Sequence, residues 1–133
     1  MCLIRPSSGL AQQCTVSSVT VSFGEYDTSS GAPLNATGSV SVSCTEPVAT
    51  VVKLDPGKHS GGLFSPRKMQ GEVDNLEYNL YTDPANTKIW GDGTSSTFTQ
   101  TGAENLTVYG SVPPRQKARP GAYGDSVTII VEW

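Results

Sequence analysis

Apolar residues in this chain recur at every second position, and this alternation constrains the fold more than any other feature. In Thr37–Cys44, Val40, Val42 and Cys44 point one way and the serines between them the other. In Ser126–Trp133, written SVTIIVEW, Val127, Ile129, Val131 and Trp133 share one face, and Ile130 is the only apolar residue opposite. A two-residue period places alternate side chains on one face of a strand, and β-branched residues suit such a half-buried pleat. No segment sustains the 3.6-residue period of an amphipathic helix.

Several further segments fit strands. Cys14–Phe23 alternates at Val19, Val21 and Phe23 with Val16 out of phase, so a bulge or a switch is expected near Ser17–Ser18. Residues 24–37 are rich in turn formers and read as a loop. A turn at Glu46–Pro47 leads to a strand ending at Asp55–Pro56–Gly57, and a short strand is expected at Arg67–Gln70. Leu76, Tyr78 and Leu80 alternate, with Tyr81 on the other face, and turn signals surround Ile89–Trp90. Residues 97–113 hold two more candidates, split near residues 101–103, before a Pro-rich loop delivers the chain to Ser126. About seven short strands separated by turns every eight to twelve residues predict an all-β sandwich, immunoglobulin-like first and jelly roll second.

At 133 residues the chain fits one domain with a single core. A net charge of −3, with Arg115, Lys117 and Arg119 in a Pro/Gly-rich loop, gives no electrostatic footprint for nucleic acid. The apolar runs are too short for a membrane span.

Catalytic chemistry finds little support. The sole histidine, His59, sits in DPGKHSGG and reads as a solvated loop residue with no serine or cysteine nucleophile to serve. Glu72 and Asp74 read as surface charge, and Gly91-Asp92-Gly93-Thr94 reads as a tight turn, short of the six or more ligands that calcium takes. Asn35-Ala36-Thr37 and Asn105-Leu106-Thr107 match the glycosylation pattern. The expectation is a non-enzymatic protein with no cofactor and no metal.

Cys2, Cys14 and Cys44 show no metal-ligand spacing. Cys14 and Cys44 each border an expected strand. Either they form a bridge, worth ~3.5 kcal/mol over a loop of roughly thirty residues and implying an oxidising compartment, or they are buried thiols. Residues 1–11 end in a small–x–small pattern (Gly9, Leu10, Ala11) typical of signal cleavage, but their apolar part is only Leu3 and Ile4 before Arg5. They are read as a signal-peptide remnant or an N-terminal arm, with the domain at residues 12–133.

The order of features carries a resemblance. The chain runs from CTVSSVTVSFGEYD through TGSVSVSC, VVKLDPG, RKMQG, YNLYTD and a WGDG turn to YGSVP and GAYGDSVTIIVEW. From Gln13 to Trp133 it resembles the spore coat protein U domain family, secreted subunits of archaic chaperone–usher pili. The resemblance implies a disulfide between Cys14 and Cys44. It also implies passage through the periplasm to an extracellular pilus, and an immunoglobulin-like sandwich lacking its last strand. A periplasmic chaperone, and then a neighbouring subunit delivered through an outer-membrane usher, would fill the resulting groove by strand addition. Val127, Ile129, Val131 and Trp133 are expected on one groove wall, with Val19, Val21 and Phe23 on the other. Burying several hundred Å² of apolar surface there would contribute on the order of 10 kcal/mol, and head-to-tail joints that do not close give a filament.

The first thirteen residues depart from a donor arm, because they do not alternate and Pro6 removes a ladder donor. Cleavage after Ala11 would leave no donor strand, which suits a tip or terminating subunit; if retained, Leu3, Ile4 and Leu10 are weak anchors. Two other readings stand beside the pilus subunit, which would serve attachment and biofilm formation. One is a self-sufficient secreted sandwich binding carbohydrate or calcium, the other a coat protein unconnected with pili.

Overall fold

A computed structural model describes residues 2–6, 14–16, 19–21, 23–27, 31–44, 50–101 and 105–132, with the main chain alone for 2–6 and 19–20. Among these residues all regular structure is strand. Ten strands occur in chain order: β1 (Cys2–Pro6), β2 (Cys14–Val16), β3 (Val19–Val21), β4 (Leu34–Cys44) and β5 (Val51–Leu54), then β6 (Arg67–Gln70), β7 (Asn75–Tyr81), β8 (Gln100–Thr101), β9 (Asn105–Val112) and β10 (Asp125–Glu132). They form two five-stranded sheets, ordered β3-β1-β10-β5-β8 and β2-β4-β9-β7-β6. The fold is an immunoglobulin-like β-sandwich.

Each inward face is set by the alternation. Leu76, Tyr78 and Leu80 of β7, Val40 and Val42 of β4, and Val127 and Ile129 of β10 are all buried. Fully burying such a side chain stabilises by about 1.5–3 kcal/mol. The phase change after Val16 is a change of sheet: β2 pairs with β4, whereas β3 pairs with β1 in the opposite layer. Ser17–Ser18 themselves lie outside the described residues, as do Glu46–Pro47 and residues 102–104.

β4 begins earlier than the turn-rich composition suggests. The loop expected over residues 24–37 ends at Leu34, because Leu34 and Ala36 pack against the core while β4 pairs with β9 from Leu34↔Val112 to Ser41↔Asn105. Long antiparallel pairing overrides a local turn bias.

A polar centre ties the far end of the sandwich together. Arg67 is fully buried. Its Nη1 donates to Asn79 Oδ1 at 2.9 Å, and its Nη2 to the carbonyls of Asp55 and Trp90, each at 2.7 Å. Trp90, also fully buried, donates Nε1–H to Val52 O at 3.0 Å. A buried charge is tolerated only when its donors are spent in this way, and here they join β5, β6, β7 and the Trp90 turn.

Candidate functional site

The candidate site is the strand position between β10 and β3. On its other edge β10 pairs antiparallel with β5, from Ile129↔Leu54 to Glu132↔Val51, and Lys53 Nζ lies 2.7 Å from Glu132 Oε1. Thr128 extends this ladder by donating its N–H to Asp55 Oδ1 at 2.9 Å and accepting from Asp55 N at 3.0 Å. Successive residues of a strand direct their main-chain polar groups to opposite edges. The N–H and C=O of Val127, Ile129 and Val131 therefore face the β3 side.

β10 and β3 do not pair with each other. Between them lies β1, parallel to β10 from Cys2↔Asp125 to Pro6↔Ile129 and antiparallel to β3 from Cys2↔Val21 to Ile4↔Val19. The slot expected to stand open thus holds residues 2–6 of the same chain. Pro6 supplies no N–H to this pairing.

The expected wall residues are partly brought together. Val127 and Ile129 are fully buried, Val131 is half-buried against the core, and Trp133 lies outside the described residues. On the facing wall Val21 and Phe23 are buried and Val19 opposes Ile4 in the ladder. Phe23 meets Tyr78 edge-on at 6.2 Å between ring centroids. Gly110 of β9 forms the floor: a Cβ there would stand 2.6 Å from Phe23 Cζ and 3.2 Å from Val21 Cγ1. The absence of a side chain lets the two sheets close over β3.

Asp125, which sequence reasoning missed, fixes the start of β10. Its buried carboxyl accepts from Tyr78 Oη at 2.5 Å, from Ser126 N at 2.8 Å and from Lys58 N at 3.0 Å. Gly57 makes room for it, since a Cβ on that residue would lie 2.2 Å from Asp125 Oδ2. His59 is half-buried rather than solvated, with Nε2 3.9 Å from Asp125 Oδ1. The neighbouring Ser60 hydroxyl donates to Pro56 O at 3.1 Å. The signal for Asp125 was its position in the strand phase of Val127, but its partner Tyr78 lies in the opposite sheet.

Other sequence candidates resolve into local structure. Asp92 Oδ1 accepts from both the main chain and the hydroxyl of Thr94, as a tight turn requires, and the Thr94 hydroxyl holds its carboxyl below the usual range. Asp74 Oδ2 accepts from Arg119 N at 2.9 Å, while Glu72 is exposed. Cys14 and Cys44, opposed in the β2–β4 ladder, form a disulfide. Asn35 and Asn105 are exposed on β4 and β9, where Asn105 Oδ1 accepts from Ser41 Oγ at 2.8 Å. No helix among the described residues is long and apolar enough to cross a membrane.

The model of the Spore Coat Protein U domain matches residues 4–130. Protein U of Myxococcus xanthus is 33% identical over 128 residues, covering 86% of this chain and 72% of that protein. Among solved structures, a chain in the CsuC–CsuE chaperone–tip adhesion subunit pre-assembly complex, from the archaic chaperone-usher Csu pili of Acinetobacter baumannii, superposes with a TM-score of 0.53 at 18% identity. That match covers 90% of this chain but only 40% of the other, and it bears on the fold. The long family match and the identity to Protein U, on a sandwich with the expected disulfide, place this chain in the Spore Coat Protein U domain family.

Proposed function

We propose that this chain is a structural and adhesive subunit of a chaperone–usher pilus, assembled by donor-strand complementation. The observation that carries the reading is the strand position between β10 and β3, whose two walls pair with a separate short strand and not with each other. Such a position accepts any extended segment that offers main-chain donors and acceptors at strand spacing. A periplasmic chaperone would occupy it first, and a neighbouring subunit after passage through an outer-membrane usher. The Cys14–Cys44 bridge suits transit through an oxidising periplasm before display at the cell surface, where attachment and biofilm formation are the roles such a fibre serves.

The test is periplasmic co-expression with a chaperone of the archaic class, followed by hydrogen exchange. The reading expects a soluble one-to-one complex in which amide exchange at Val127, Ile129 and Val131 differs from that of the free chain. A subunit that stays monomeric beside the chaperone, with unchanged exchange along β10, defeats it.

A further inference from the structure

The same strand position carries a further inference, which rests on the slot reading above. We propose that Cys2–Pro6 is an internal plug: it keeps the slot closed within one chain and must leave before a partner's strand can enter. Both walls are already paired to it, through five residues of β10 and three of β3. An incoming strand therefore competes with a covalently attached occupant and does not meet a vacant edge.

The orientation of this occupant makes it displaceable: it runs parallel to β10, the arrangement slightly less stable per residue. The connection supplies a second way of opening. Gly9–Leu10–Ala11, the cleavage-like pattern, lies between the plug and β2. A cut after Ala11 severs the plug from the domain, removing the high effective concentration that holds it in place.

The placement is tested in the intact chain by cross-linking. Cys2 opposes Val21 in the register and Ile4 opposes Val19, so under mild oxidation Val21→Cys should give a bridge to Cys2 by peptide mapping, and Val19→Cys far less. Function is tested with a chain carrying a protease site between Ala11 and Gln12, folded whole and cut afterwards so that truncation does not impair folding. The probe is a labelled synthetic peptide of residues 1–11 with Cys2→Ser. The cut chain, freed of its own segment by gel filtration, should bind this peptide at least about tenfold more tightly than the uncut chain. It should also capture the archaic-class chaperone at least about tenfold faster. Equal binding by cut and uncut chains, or equal cross-linking at positions 19 and 21, overturns the plug. Chaperone capture without the Val21→Cys cross-link overturns the plug alone and leaves the slot reading standing. Cross-linking with neither form binding peptide or chaperone overturns the slot reading, and the plug's role with it.

Discussion

Tyr78 and Asp125 face each other across the two sheets, with the phenol Oη donating to the carboxyl Oδ2 at 2.5 Å inside the sandwich. Through Asp125 this contact fixes the first residue of β10, since the other oxygen accepts from Ser126 N and Lys58 N. Hydrogen bonds to a carboxylate stabilise by roughly 1.5–3 kcal/mol, and leaving a buried partner unmet costs a similar amount. Tyr78→Phe should therefore destabilise by about 2 kcal/mol in urea titration, and Asp125→Ala by more, because it strands three donors. Equal stability of Tyr78→Phe and the parent would show that the pair contributes nothing.

Gly110 should tolerate no side chain. A Cβ there meets Phe23 Cζ at 2.6 Å and Val21 Cγ1 at 3.2 Å, so Gly110→Ala must push β3 outward or tilt the Phe23 ring. Overpacking of this kind costs about 1–3 kcal/mol. Because β3 borders β1, faster hydrogen exchange at Thr20 and Val21 should accompany the lost stability. A thermal midpoint within a degree of the parent would mean that the two sheets are not closely apposed there.

The disulfide should act mainly on the unfolded chain. Cys14 and Cys44 are 30 residues apart, and a loop of that length is worth about 3–4 kcal/mol in the chain-entropy model. Cys14→Ser with Cys44→Ser, and likewise the parent under reductant, should lose that amount in denaturant titration. The double variant should show no further response to reductant; if it does, the loss has another source.

Much of the sandwich was legible because its information is local. Alternation in Leu76–Leu80 and Val127–Val131 follows from which side chains are buried, and the short strand at Arg67–Gln70 appears with those bounds. Arg67 was placed in its strand but its burial was missed. It shares the inward phase of Met69, yet what makes that tolerable is a pair of main-chain oxygens, Asp55 O and Trp90 O, that only the tertiary fold brings near. His59 was misplaced for the same reason, since Asp125 is far away in sequence. The occupant of the slot left the weakest trace. Cys2–Pro6 pairs through main-chain groups, which every sequence possesses, and its side chains do not alternate.

Acid should weaken the turn that follows β7. Asp83 takes hydrogen bonds from the Thr87 hydroxyl at 2.5 Å, from Lys88 N at 2.9 Å and from Thr87 N at 3.0 Å. Chiefly through the Thr87 hydroxyl, these hold its carboxyl below the usual carboxylate value. A pKa depressed in the folded state gives stability that is fully present above the unfolded value of about 4, and that is lost as pH falls through the folded one. Asp83→Asn should thus be less stable than the parent at pH 6 and approach it at pH 2.5, in urea titrations at both. A gap of the same size at both pH values would remove the carboxylate from the explanation.

Charges placed at Ile129 should report on the core before they report on any partner. Ile129 is fully buried between the sheets and pairs with Leu54 of β5. Ile129→Asp buries an unpaired carboxylate, a penalty of several kcal/mol against the roughly 5–15 kcal/mol that holds a domain together. Loss of chaperone binding in that variant would follow from unfolding alone. Ile130, on the outward phase and half-exposed, is the discriminating neighbour. Ile130→Asp should keep its thermal midpoint within a few degrees of the parent and still bind, because the slot is lined by the main-chain groups of Val127, Ile129 and Val131. Circular dichroism and chaperone pull-down on the two variants separate the cases. Binding lost in a folded Ile130→Asp would move the contact from the slot to the outer face of β10.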